Sequence, residues 1–154
     1  MITGILLAGW MTVIFLFSAQ PAATSGRISG TLAYRIVEKT DRIFHLGLEE
    51  PQLEEYAMKF DHPLRKCAHM TEYAIMGWLC CFFLAGFAGF SRRSYLLSLG
   101  ITAFYAATDE LHQLLVPGRS GQFRDVCIDT AGAALGLLAL YLCCRLAARF
   151  ARKK

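Results

Sequence analysis

From Thr130 to Cys144 the chain carries no acidic, basic or histidine side chain, and the same holds from Ile2 to Ser18 and from Ala74 to Phe90. Runs of this kind do not suit the surface of a water-soluble fold. A hydrocarbon core of ~30 Å is crossed by about 20 apolar residues rising ~1.5 Å each, so the runs predict membrane-crossing helices. The 154 residues are 55% hydrophobic, with a mean hydropathy of +0.40, too short for several domains and too apolar for an ordinary soluble one. Of the six cysteines, Cys80, Cys81, Cys143 and Cys144 sit inside apolar runs as small hydrophobes, and Cys67 and Cys127 near helix ends are assigned a structural role. A disulfide framework belongs to short secreted domains and is excluded. The net charge of +4 comes largely from the tail R-L-A-A-R-F-A-R-K-K. Beside apolar runs such a tail reads as an orientation signal, and no nucleic-acid partner is expected.

The expected fold is all-α: one integral membrane domain over 1–154, a four-helix bundle with spans at about 2–18, 66–90, 95–116 and 125–146. The first run lacks the basic flank of a cleaved signal peptide, so it is read as a retained helix. Residues 22–64 form an extramembrane segment between the first two spans. There Ile28, Leu32, Ile36, Ile43, Phe44 and Leu48 recur at helical spacing among charges, the pattern of an amphipathic helix. Such a helix covers the outer ends of the bundle, the favoured reading, or lies in the headgroup layer beside a lipid substrate. Pro51 and Pro63 are read as breaks around a short helix from Leu53 to Phe60, and Pro117-Gly118 as the end of the third span. Gly132 and Gly136 form a G-x-x-x-G that lets a neighbouring helix come close.

Basic residues favour the cytoplasmic side, and Arg92, Arg93 and the tail share one side of a four-span chain. A bacterial cell-membrane, multi-pass protein with both termini in the cytoplasm is therefore expected. The count alone does not decide it, since the other side holds nine basic residues against seven.

Charge set into apolar segments is expensive and points to function. His69, Glu72 and Tyr73 open the second span at i, i+3, i+4; Asp109, His112 and Gln113 repeat that geometry beside Glu110 near the end of the third; Asp125 and Asp129 open the fourth. All three faces must turn inward, because lipid accepts none of them. Arg65, Lys66, Arg119 and Arg124 are expected at the rim. Crowded carboxylates and a histidine suit general acid–base work, with His112 or His69 as base and Asp109 and Glu110 as acids. The arginines suit a phosphate or carboxylate, and the same histidines and carboxylates suit a divalent metal, though at no sharply diagnostic spacing. Mutual charge pairing that merely holds the bundle in register is the bland alternative.

F-S-A-Q before the first loop, R-K-x-x-H-x-x-E-Y opening the second span, D-E-x-H-Q-x-x-V-P-G-R, and D-x-x-x-D-x-x-G-x-x-x-G in the fourth resemble, in that order, the VanZ-like family of small bacterial membrane proteins. The resemblance implies a cell-envelope factor linked to teicoplanin-type glycopeptide resistance, with membrane lipids, a lipid-linked cell-wall precursor or a lipoglycopeptide as partners. It implies no established reaction, cofactor or catalytic residue. Asp129 stands where many relatives carry asparagine, which adds an acid to the cluster.

Overall fold

The computed structural model describes residues 2–151, and they form five helices: α1 Ile2–Ser18, α2 Ala22–Phe44, α3 Glu50–Ala88, α4 Arg92–Gln113 and α5 Phe123–Ala151. The last three tail residues, Arg152, Lys153 and Lys154, which belong to the orientation signal, lie outside the described residues. Two helices, α3 and α5, are long and apolar enough to cross a bilayer, and a third crossing is counted if α1 and α2 act as one bent pair. Helix α4 carries Arg92, Arg93, Asp109, Glu110 and His112, which dilute its apolar character.

Pro51 falls at the start of a helix, as a break there requires, but Pro63 does not break the chain as expected. Helix α3 runs unbroken for 39 residues, uniting the short helix and the second span. Pro51 sits in its first turn, where a missing N–H costs nothing, behind a capping box in which Glu49 N–H donates to Gln52 Oε1 at 2.9 Å. Pro63 forfeits one ladder bond, but α2 packs along this part of α3 and holds it helical. Tyr34 marks the far end of that pairing, its hydroxyl donating to Glu50 Oε1 at 2.6 Å. At ~1.5 Å per residue α3 is ~58 Å long, twice the ~30 Å core, so its first half projects beyond a span.

Helix α4 stops at Gln113, three residues before the expected end at Val116. Its last turn tightens, with Leu115 N–H donating to His112 O and Val116 N–H to Gln113 O. Pro117 has no N–H to continue the ladder, and the residue before a proline avoids helical backbone. At the other end Ser91 caps α4 by accepting from Ser94 N–H.

The bundle centre is Ile14, Tyr73, Met76, Cys80, Ala106 and Ala133. Helix α5 packs on α3 through the two glycines: a Cβ on Gly132 would lie 2.6 Å from Met70 Cα, and one on Gly136 2.8 Å from Ala74 Cβ. Trp78 Nε1 donates to Gly136 O at 2.6 Å across the same seam. Helix α4 presents a buried stripe of Ser94, Ser98, Thr102 and Ala106, spaced four apart. Small side chains there permit close approach, and Ser98 Oγ satisfies itself on Ser94 O at 2.7 Å.

Helix α2 is bent by 101° from α1. That leaves it nearly perpendicular to the first helix, with Ile28 and Leu32 57% and 50% exposed. Only Ala33 of this helix is fully buried, so its apolar face is only partly covered where it packs on α3.

Candidate functional site

The loop from Leu114 to Gln122 folds back over the end of α4, and this brings the three polar helix ends together. Gly121 makes the fold-back fit: a Cβ there would strike Glu110 O and lie 3.0 Å from the Leu114 side chain. The Glu110 carboxylate then accepts from Gln122 N–H at 2.8 Å. Arg119 reaches across to the α1–α2 corner, donating from Nε to Gln20 O at 3.1 Å and from Nη2 to Phe17 O at 3.2 Å. Ala22 N–H donates to Pro117 O at 3.2 Å beside it. The F-S-A-Q and V-P-G-R segments are thus two halves of one clasp.

Beneath the clasp lies a cavity of about 200 Å³. His62, Arg65, Lys66 and His69 of α3, Glu110 and Gln113 of α4, Arg119 and Gln122 of the loop, and Asp125 and Asp129 of α5 line it. Lys66 Nζ is paired with Asp125 Oδ1 at 2.5 Å, and Arg65 with Asp61 at 3.4 Å. Asp109 accepts from Gln113 Nε2 at 3.1 Å, both buried, which realises the i, i+4 face expected of α4. Asp129 is buried, with Asp109, Glu110, Asp125 and Lys66 as its charged neighbours. Tyr73 is buried in the bundle centre and its hydroxyl makes no hydrogen bond among the described residues.

The two histidines have separate surroundings. His69 lines the cavity, its Nδ1 3.9 Å from Glu72 Oε2, beyond hydrogen-bond range, and without another partner among the described residues. His112 instead stacks on Phe15 of α1, with ring centroids 4.5 Å apart and planes at 26°. Arg124 is exposed and forms no ion pair among the described residues, so the rim consists of Arg65, Lys66 and Arg119. Burial and the nearby Arg65 lower the Arg119 pKa, against the pull of Asp109, Glu110 and Glu72. An arginine stays protonated all the same, so the loop carries a permanent cation.

Among the described residues no three His, Cys, Asp or Glu side chains converge in a metal-holding arrangement. The carboxylates engage Lys66, Gln113 and the Gln122 N–H instead.

His62 and Gln122 are additions to the residues expected from sequence. His62 lies one helical turn before Arg65 and Lys66 and two before His69, a spacing visible once α3 is carried through Pro63. Gln122 contributes a backbone N–H, which no sequence pattern announces.

Arg119→Lys tests the clasp. A lysine reaches at most one of the two carbonyls, and a hydrogen bond from a charged donor contributes ~1.5–3 kcal/mol. The expected result is a lower melting temperature in detergent and faster proteolysis at residues 19–21.

These features define a helical protein with membrane-span-capable helices and a polar cavity formed where α3, α4 and α5 meet the loop. The chain belongs to the VanZ/LLP1 family, whose model matches residues 3–145. No curated protein and no solved structure matches it.

Proposed function

We propose that this protein crosses the bacterial cell membrane four times with both termini in the cytoplasm, and that it acts at the outer face on a lipid-linked phosphate component of the envelope. Through that component it contributes to teicoplanin-type glycopeptide resistance. The cavity carries this reading: three cations and the half-buried His69, whose buried Nδ1 has no hydrogen bond among the described residues, line one polar recess. Its ~200 Å³ is smaller than the ~300–1,000 Å³ of drug-sized sites, which suits a headgroup and not a whole glycopeptide.

Arg65, Lys66 and Arg119 bind the anion. His69 takes a proton from water, whose oxygen forms the new bond to phosphorus. The bond to the lipid oxygen breaks, and Asp109 or Glu110 returns a proton to it. Glu72 orients His69, closing the 3.9 Å gap when the substrate is bound. Asp125, Asp129 and Gln113 fix the charge and shape of the floor, Tyr73 supports it from the bundle centre, and His112 braces α4 on α1.

A second reading is favoured by the pairing of Lys66 with Asp125 and of Glu110 with Gln122 N–H: the cavity retains a headgroup without turning it over. Incubating the purified protein with an isoprenyl phosphate or pyrophosphate and measuring phosphate release separates the two. Release supports the catalytic reading, and stoichiometric retention without release supports the binding one. A protein that neither releases phosphate nor retains the lipid would overturn both.

A further inference from the structure

The polar cavity meets a second recess at three side chains, Arg65, His69 and Arg119, which line both. This recess, about 340 Å³, sits inside the bend between α1 and α2 and against α3. Phe17, Ile28, Leu32 and Leu64 supply its apolar walls. Phe17, Ile28 and Leu32 are 52%, 57% and 50% exposed. The recess is therefore open along its apolar side and charged at its inner end.

That asymmetry selects the occupant. An inorganic phosphate would match the cations but leave the apolar walls bare. A neutral lipid would fill the walls but bring no anionic group to the Arg65 and Arg119 guanidiniums at the inner end. A molecule apolar along its length and anionic at one end satisfies both. In the topology proposed above, an α2 nearly perpendicular to α1 lies along the membrane surface, which turns the open side toward the hydrocarbon layer.

We propose that the recess between the α1–α2 corner and α3 is a lateral access route from the bilayer, holding the first part of the chain of a phosphate-bearing lipid while its headgroup reaches His69. This rests on the function proposed above and deepens it: the substrate class is a membrane-resident amphiphile that slides in sideways. Glu72 and Asp109 line the same inner end, behind the cations, where they are placed to handle protons once the headgroup is held.

The test is photolabelling in vesicles with a phosphatidic acid carrying a diazirine on the first few carbons of one chain, next to the headgroup. Labels are expected on Phe17, Ile28 and Leu32. Excess dioleoyl phosphatidic acid should reduce them roughly tenfold, and the same excess of dioleoylglycerol should not. Leu32→Asn, at a side chain exposed enough to leave the fold intact, should weaken labelling of Phe17 and Ile28. Labels spread equally over Leu135, Leu138 and Leu142 on α5 would overturn the inference. If phosphate-lipid retention still depends on Arg65 in that case, the headgroup site stands and only the access route fails. If labels stay in the recess but Arg65→Gln leaves the competition unchanged, the anion part of the inference and the proposed function fail together.

Discussion

Gly132→Ala is expected to lower the melting temperature of the purified protein by about 2–12 °C, from the ~1–3 kcal/mol that overpacking costs in a chain of this size. The added methyl would sit 2.6 Å from Met70 Cα and 2.8 Å from Met70 C, backbone atoms that no rotamer change moves aside. Helices α3 and α5 must separate, and they carry both walls of the polar cavity, with Lys66 on one and Asp125 on the other. Gly100→Ala is the control, because nothing lies within 4 Å of its added Cβ. That substitution removes a helix-interior glycine and should stabilise by about 0.5–1 kcal/mol. Equal melting of the two variants would mean that the α3–α5 seam is looser than the glycine contacts require.

His69→Gln and Asp109→Asn should each return a susceptible host expressing the protein to the teicoplanin tolerance of a host that lacks it. Both substitutions keep size and hydrogen-bonding capacity, and the amide oxygen that Asp109→Asn introduces can still accept from Gln113. What they remove is the ability to take or give a proton. General acid–base catalysis contributes ~10²–10⁴-fold, so turnover on a lipid phosphate should fall at least about a hundredfold. Expression and melting temperature should match the parent. His112→Gln, by contrast, removes a ring stacked on Phe15 and should act on stability first. Undiminished tolerance in His69→Gln and Asp109→Asn, with normal folding, would show that proton transfer in the cavity is not the source of the phenotype.

Much of this arrangement is legible in the chain, and the reasons differ by element. The apolar runs and the G-x-x-x-G announce helices and their close approach because both depend on local composition and spacing. The inward faces of α3, α4 and α5 follow from i, i+4 pairs, and Asp109 with Gln113 realises one of them. Pro63 misleads because its cost is local while the contacts from α2 that offset it are not; breaking the helix there also hides His62. The end of α4 is misplaced because side-chain capture of Gln122 N–H by Glu110 needs a loop whose path sequence does not fix. Arg119 reads as a rim cation, yet two of its donors hold carbonyls about a hundred residues away, a contact that only the fold creates. The small-residue stripe from Ser94 to Ala106 has a four-residue period in the sequence, masked by the apolar residues between.

The central claim is that the cavity recognises a lipid phosphate, and native mass spectrometry in mild detergent tests it most directly. One phosphate-bearing lipid per chain is expected on the parent protein, and Arg65→Gln combined with Lys66→Gln should strip it while leaving the melting temperature within a few degrees. Elemental analysis of the same sample reports whether a divalent metal accompanies the lipid. A parent protein free of phosphate-bearing lipid even after incubation with one, or a variant that retains it as well as the parent, would contradict the account.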